Sequence, residues 1–170
     1  MSWDQLLALD ARLSTRMRVA ERPGLLRTFA AILAHSGDSW FWAAGLVLLW
    51  WLGDLFWRQW ALTVLLSIGA LAVIVLAIKF TIRRRRPEGE WGAIYRSSDP
   101  HSFPSGHAAR AILIGVLAIG LGPGWLAILL CVWAPLVALA RVAMGLHFLS
   151  DVTAGAVLGA IAGGIVLLIR

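Results

Sequence analysis

From residue 39 onward, the chain alternates long apolar runs with short polar clusters. The runs at 59–78 and 152–169 carry no charge and are about as long as a helix that crosses roughly 30 Å of hydrocarbon. A weaker run at 39–57 is interrupted by Asp54 but has tryptophans at both ends, as interfacial belts do. These patterns predict three transmembrane helices.

A longer uncharged stretch, residues 111–140, exceeds one ordinary span. Gly122-Pro123-Gly124 lies within it, where a tight turn would reverse the chain. The stretch therefore predicts two further helices, at about 104–121 and 125–145. We expect an all-α fold, a polytopic transmembrane helix bundle of about five spans.

The N-terminal segment has a different pattern. Apolar side chains recur there at helical spacing, with charges on the other faces: Leu6, Leu9, Leu13 and Met17. This predicts an amphipathic helix in the headgroup plane that Pro23-Gly24 ends. The apolar residues 25–34 are too short to span and predict a re-entrant or interfacial helix. We expect one domain, with these helices at 1–36 and a membrane-embedded core at 37–170.

The composition supports a membrane protein and excludes several other classes. Apolar side chains make up 60% of the 170 residues, well above what a soluble domain needs. The single cysteine, Cys131, excludes an intrachain disulfide and a thiolate metal site. The charged N-terminus lacks a signal-peptide pattern. We expect the lipid bilayer as a partner, no nucleic acid, and leave the oligomeric state open.

Three polar clusters lie at the ends of the apolar runs. They comprise Lys79 with Arg86-Pro87, the row Pro104-Ser105-Gly106-His107, and Arg141 with His147 and Asp151. Ionisable groups at membrane segments are costly enough that a functional role is the default explanation. Three cations, two histidines and one carboxylate can hold a phosphoryl group, attack it and release its leaving group. If five helices cross in turn, all three clusters open on one membrane surface.

The first cluster has a simpler alternative interpretation. On a continued helix Lys79, Arg83 and Arg86 would share one stripe, which suits an anionic headgroup. The run Arg83–Arg86 is also typical of a juxtamembrane polybasic cluster that binds anionic lipid. Both interpretations place positive charge at the membrane surface.

The second cluster opens a predicted helix. Free amides at a helix N-terminus, with Ser105 and Gly106, predict an oxyanion cradle that His107 faces. The alternative is an interfacial histidine with a serine cap. Arg110 lies on the same side; contact with substrate is one interpretation, and snorkelling to the interface is the expected one. His35, outside the clusters, is expected to be an interfacial or loop residue.

In the third cluster, two residues can face one site only if a helix ends between them. Arg141 and His147 would lie about 240° apart on a continuous helix. Gly145 is the expected break. Asp151, four residues after His147, would then share its face, accept from one imidazole nitrogen and leave the other free as a nucleophile.

Together the clusters resemble the three-part signature of the type 2 phosphatidic acid phosphatase superfamily, over residues 39–169. The resemblance implies that His147 attacks phosphorus to form a phosphohistidine, that Asp151 orients it, and that His107 protonates the leaving alkoxide. It also implies a metal-independent and cofactor-independent phosphate site formed by Lys79, Arg86, Ser105, Gly106 and Arg141. Ala140 departs from the pattern, because many members carry serine before the arginine.

The predicted pocket opens where lipid headgroups lie, so we expect a lipid phosphate as substrate. The candidates are phosphatidylglycerol phosphate, phosphatidic acid and polyprenyl phosphates or diphosphates. Residues 88–103 join two clusters and are expected to select the substrate. The candidate side chains in this loop are Trp91, Tyr95, Arg96, Asp99 and His101.

Two other functions and two membrane orientations stay open. The same pocket could serve a lipid phosphotransferase or a catalytically silent protein that binds lipid phosphates. Arginine is concentrated on the side that carries the clusters, which favours the cytoplasmic face of a bacterial or archaeal cell membrane. Many bacterial proteins that the chain resembles face outward instead.

Overall fold

The computed structural model describes residues 2–91 and 99–170, which contain seven α-helices. They are α1 (Trp3–Arg16), α2 (Leu25–Ser36), α3 (Ser39–Leu52), α4 (Leu55–Ile82), α5 (Gly106–Leu121), α6 (Gly124–Ala143) and α7 (Leu149–Ile169). Within those two ranges the β-type pairing consists of one isolated bridge, between Arg85 and His101. The predicted all-α bundle is confirmed.

Three of the helices, α4, α6 and α7, are long and apolar enough to cross a membrane, and the protein is an integral membrane protein. The other two expected spans, α3 and α5, are apolar helices of only 14 and 16 residues. The predicted boundary between the first two spans was wrong. The chain leaves α3 at Leu52 and starts α4 at Leu55, because the Asp54 carboxylate caps α4 by accepting the N–H of Trp57 at 3.0 Å.

Helix α5 lies at the centre of the bundle, between α4, α6 and α7, and more than half of its residues are buried. The face of α7 that meets it carries glycines four residues apart. A Cβ at Gly155 would lie 2.4 Å from the carbonyl oxygen of Ser105, and one at Gly159 only 2.1 Å from that of Ala109. Glycine therefore allows the close approach that sets the N-termini of α5 and α7 side by side.

The N-terminal helices pack on the membrane-spanning ones from the side. α1 ends at Arg16, earlier than Pro23-Gly24 predicted, and contacts α7 while most of its apolar side chains stay exposed. α2 packs on α6 through Ala30 and Ala34. The turn after α2 therefore lies next to α6, at the end of the bundle that carries the three polar clusters.

Candidate active site

The corner between α6 and α7 positions the second histidine of the sequence motifs. α6 ends in a Schellman motif, in which Leu146 N donates to Arg141 O at 3.0 Å and Gly145 N to Val142 O at 2.9 Å. Gly145 has a φ of 69°, which favours glycine, and the predicted break at this residue is confirmed. The motif turns His147 back into the bundle, where it is 1% exposed.

His147 is held at both ring nitrogens. Its Nδ1 lies 2.8 Å from the carbonyl oxygen of Ser102, and its Nε2 lies 3.1 Å from Nη1 of Arg86. A carbonyl can only accept, so Nδ1 carries the proton and Nε2 presents its lone pair. The hydrogen bond predicted from His147 to Asp151 is absent, because Oδ2 is 3.6 Å from Nδ1. The Ser102 carbonyl fixes the tautomer instead.

The electrostatics around His147 favour a nucleophile. Burial lowers the pKa of the imidazole well below its usual value, and the positive charges of Arg141, Arg86 and Lys79 lower it further. The ring is therefore neutral at pH 7. Arg141 itself is fully buried beside the corner. A neutral imidazole surrounded by cations can attack an anionic phosphoryl group that those cations bind.

Asp151 is fully buried and has partners other than His147. It accepts from Phe148 N at 2.9 Å and from Nη1 of Arg84 at 2.6 Å. Nη2 of Arg84 donates at 2.7 Å to Asp10 of α1. Sequence reasoning missed Asp10 and Arg84. Arg84 is one of four consecutive arginines, and nothing in their spacing distinguishes it from its neighbours.

α1 also caps the helix that carries Asp151. The N–H of Leu149 donates to Oγ of Ser14 at 2.8 Å, and the N–H of Ser150 donates to Oδ1 of Asp10 at 3.0 Å. These are two of the amides that have no partner inside α7. The N-cap residue, Phe148, has no side-chain acceptor of its own. The amphipathic helix is thus part of the framework of the site.

The cations of the first cluster converge on one carboxylate. Nζ of Lys79 pairs with Oδ2 of Asp99 and donates to the carbonyl oxygen of His101 at 3.0 Å. Nη2 of Arg86 donates to the same Asp99 oxygen at 2.7 Å. Although burial raises the pKa of the Asp99 carboxyl, Lys79 and Arg86 bring it below its usual value. An anion already lies between the two cations that were predicted to bind phosphate.

The stripe that a continued helix would give Lys79, Arg83 and Arg86 does not form. α4 ends at Ile82, and Arg83 takes a left-handed conformation with a φ of 53°. The chain then folds back, and Ser102 N donates to Arg84 O at 2.8 Å. This reversal, rather than helical spacing, brings the Arg86 side chain into the bundle.

The first histidine of the motifs lies at the start of α5. Nε2 of His107 lies 2.6 Å from Oδ1 of Asp38, in the turn between α2 and α3. The hydroxyl of Ser105 caps α5, accepting from Ala108 N at 3.5 Å, and the residue is fully buried. Accepting this bond leaves the O–H of Ser105 available as a donor, and its contact with phosphate stays a prediction. Gly106 lies on the wall of the cavity.

The snorkelling predicted for Arg110 was wrong. Its side chain is buried and donates from Nε to the carbonyl oxygen of Gly37 at 2.8 Å. His35, predicted to be a loop or interfacial residue, lies in the last turn of α2 and places Nδ1 3.2 Å from Oδ2 of Asp38. Both residues thus support the turn that carries Asp38.

The loop predicted to select the substrate is only partly described. Tyr95 and Arg96 lie outside the described residues. The guanidinium carbon of Arg27 lies over the ring of Trp91, 5.0 Å from the ring centroid. Trp91 also packs near α2. His101 places its ring against Phe80. Neither Trp91 nor His101 lines the cavity that contains the two motif histidines.

A cavity of about 500 Å³ contains part of this site, with both motif histidines on its wall, whereas Arg86, Ser105, Arg141 and Asp151 do not line it. Its polar end is lined by Asp38, Ser39, Lys79, Asp99, Gly106, His107, Arg110 and His147. Its other end is formed largely by apolar side chains of α4, from Ile68 to Leu76. A cationic end that contains two histidines and an apolar end together suit an amphiphile with an anionic head.

An apolar helix bundle with such a site at one end defines an integral membrane phosphatase. The chain belongs to the PAP2 superfamily, whose sequence model matches residues 60–170. It is 36% identical, over 87% of its length, to the decaprenylphosphoryl-5-phosphoribose phosphatase of Mycobacterium tuberculosis, of which the match covers 82%. The resemblance in the three motifs is thereby confirmed at the level of the family.

Two solved structures share the fold. The transmembrane PAP2 type phosphatidylglycerolphosphate phosphatase of Bacillus subtilis superposes with a TM-score of 0.79 and 25% identity, over 97% of this chain and 86% of that one. LpxE of Aquifex aeolicus superposes with a TM-score of 0.71 and 27% identity, over 91% and 93% of the two chains. The protein is a lipid phosphatase of this superfamily.

Proposed function

We propose that the protein removes a terminal phosphate from a membrane lipid through a phosphohistidine at His147. The observation that carries the proposal is the environment of Nε2. The lone pair of this nitrogen, on a buried, neutral ring, accepts an N–H of Arg86 at 3.1 Å. A phosphoryl oxygen that takes over this N–H would free the lone pair and hold its phosphorus next to the nucleophile.

The proposed reaction has two steps, formation of the phosphohistidine and its hydrolysis. In the first, Nε2 of His147 bonds to phosphorus, the bond to the leaving oxygen breaks, and His107 gives that oxygen a proton. In the second, His107 takes a proton from water, whose oxygen attacks phosphorus and releases inorganic phosphate and free His147. Lys79, Arg86 and Arg141 stabilise the charge on the phosphoryl oxygens, with the Gly106 backbone alongside. Asp151 adds negative charge near the ring of His147.

For the substrate, we favour a prenyl-linked sugar phosphate. The relative from Mycobacterium tuberculosis, named for decaprenylphosphoryl-5-phosphoribose, is 36% identical to this chain. The cavity runs along α4 from Lys79 down to Ile68, a helix length of about 16 Å at roughly 1.5 Å per residue. A cavity of this length accommodates the first part of a long hydrocarbon chain, while the phosphate binds at the polar end. Phosphatidylglycerol phosphate and phosphatidic acid are the comparison substrates.

A micellar lipid panel tests this proposal. The purified protein would be given decaprenylphosphoryl-5-phosphoribose, phosphatidylglycerol phosphate, phosphatidic acid and a polyprenyl diphosphate, with and without EDTA, and inorganic phosphate would be measured. We expect the highest kcat/KM on the first lipid, no effect of EDTA, and no release by His147→Ala. Transfer to an added alcohol in place of phosphate release would identify a phosphotransferase. Binding without turnover would identify a silent member.

We further propose that the site faces the cytoplasm from a bacterial or archaeal cell membrane. Arginines on the side that carries the motifs far outnumber Arg58 and Arg170 on the other, and positive-inside logic then places the motifs inside. Ser2→Cys or Glu88→Cys, made in a Cys131→Ser background, should react with an impermeant maleimide only after lysis. Rapid labelling of intact cells would place the site outside.

A further inference from the structure

A carboxylate outside all three motifs lies beside the histidine proposed as general acid. Oδ1 of Asp38 is 2.6 Å from Nε2 of His107, and Oδ2 is 3.2 Å from Nδ1 of His35. Asp38 lines the same cavity as His107 and His147. Because a carboxylate can only accept, Nε2 of His107 donates to it, and Nδ1 is the nitrogen left for the substrate.

The turn that carries Asp38 is held on both sides by Arg110. This buried side chain donates from Nε to the carbonyl oxygen of Gly37 at 2.8 Å and from Nη1 to Oγ of Ser39. Gly37 and Ser39 are the two chain neighbours of Asp38. Arg110 and His107 lie three residues apart on α5, so one helix positions both the histidine and the turn that faces it.

Two tryptophans fix the same turn from other helices. Nε1 of Trp42, on α3, donates to Ser36 O at 2.9 Å, and Nε1 of Trp133, on α6, donates to Ser36 Oγ at 2.8 Å. A Cβ at Gly37 would lie 2.9 Å from Val137 of α6, so the turn packs tightly there. Contacts from three helices hold this turn in one place, as a supporting residue in an active site requires.

We propose that Asp38 is a positioning residue: its carboxylate orients the ring of His107 and stabilises the imidazolium that protonates the leaving group. The assignment rests on the general-acid role of His107 in the proposed function. Burial of the ring is the largest influence against an imidazolium at His107, and the positive charges of Arg141, from α6, and Arg110, from its own helix, add to it. The carboxylate of Asp38 opposes them and lets the ring carry the proton that it gives to the leaving oxygen.

The Asp38 carboxylate stays ionised at neutral pH. Burial raises the pKa of its carboxyl, but the hydrogen bonds and charges of His107 and His35 outweigh burial and bring the pKa down to about 2. A permanently charged acceptor next to an imidazole resembles the carboxylate that supports the base in a hydrolase triad. Here it would support an acid instead, because the ring must be protonated before the leaving group departs.

The test compares leaving groups in Asp38→Asn, which keeps the side-chain shape and removes the charge. On a lipid phosphate, whose alkoxide needs a proton, we expect kcat to fall by about 10²-fold, within the range of general acid catalysis. On p-nitrophenyl phosphate, whose leaving group needs little protonation, we expect less than about a threefold fall. The basic limb of the lipid pH profile should move to lower pH, because the imidazolium loses its counter-charge.

A double-mutant cycle and a matched control separate positioning from simple folding. In the His107→Ala background, Asp38→Asn should cause no further loss, because its effect passes through that ring. Asp54→Asn is the control, since Asp54 likewise precedes an apolar helix, α4, but lies at the opposite end of the bundle. It should leave both rates unchanged.

The outcomes decide between this assignment and the function on which it rests. Equal loss on both substrates, or an additive loss in His107→Ala, would show that Asp38 only supports the fold and would overturn the assignment. A wild-type protein that releases no phosphate from any lipid would overturn the proposed function as well. If Asp38→Asn does not fold, Asp38→Glu, which displaces the charge, should show the same dependence on leaving group, and its absence would overturn the assignment.

Discussion

The contact between α1 and α7 predicts that a buried serine, distant from the motifs in sequence but next to the third one in space, stabilises the protein. The hydroxyl of Ser14, which is fully buried, accepts the N–H of Leu149 at 2.8 Å. Ser14→Ala leaves that amide without its acceptor at the start of α7. Loss of a cap costs about 0.5–2 kcal/mol and a buried unpaired amide about 1–3 kcal/mol, so we expect a destabilisation of about 1–3 kcal/mol.

Thermal unfolding of the purified protein in detergent measures this effect. For a chain of this size, about 1–3 kcal/mol corresponds to a fall in Tm of roughly 2–12 °C. Thr15→Ala is the matched control, because the neighbouring hydroxyl donates only within its own helix, to Ala11 O, and is exposed. Equal Tm values for Ser14→Ala and Thr15→Ala would refute the docking of α1 on α7.

Three further predictions concern His147 and the groups around it. His147→Ala should lose turnover on both a lipid phosphate and p-nitrophenyl phosphate, and rescue by the better leaving group would exclude it as the nucleophile. Because burial and nearby cations lower the pKa of His147, its protonation should inactivate the enzyme only below about pH 6.5, and an acidic limb above that pH in kcat/KM would contradict this. Asp99→Asn should tighten inhibition by vanadate, because it removes the anion paired with Lys79 and Arg86, and weaker inhibition would mean that Asp99 organises the cations instead.

The parts of the fold that follow from local chemistry were predictable. Apolar run length identified the helices, and Gly145 identified the corner, because a left-handed residue at a helix end favours glycine. Asp54 was interpreted as an interruption of a span, when its side chain is the cap that starts the next one. The glycines Gly155 and Gly159 on α7 were a readable signal of close helix packing that the hydropathy pattern did not use.

The supporting residues of the site could not be predicted from spacing. Asp38 lies 69 positions from His107, and Asp10 lies 140 positions from Ser150, so no local period relates them. Each belongs to a segment whose pattern reports only an interfacial helix or a loop. Their roles depend on how α1 and the turn after α2 dock onto the bundle, which is a property of tertiary packing alone.

The pair His147 and Asp151 shows where helical spacing misleads. Residues four apart share a face only inside a helix, and α7 begins at Leu149, after His147. Asp151 uses its oxygens on Phe148 N and Arg84, and the imidazole proton goes to the Ser102 carbonyl.

Asp151→Asn should therefore keep the His147 tautomer and lose only charge. A carboxylate 3.6 Å from the ring is worth at most about 4–5 kcal/mol at an effective dielectric constant of roughly 20. Pairing with Arg84 cancels part of that, so we expect kcat to fall by about 10- to 10²-fold, equally on lipid and aryl phosphates. A loss as complete as that of His147→Ala would show that Asp151, and not Ser102, takes the ring proton during turnover.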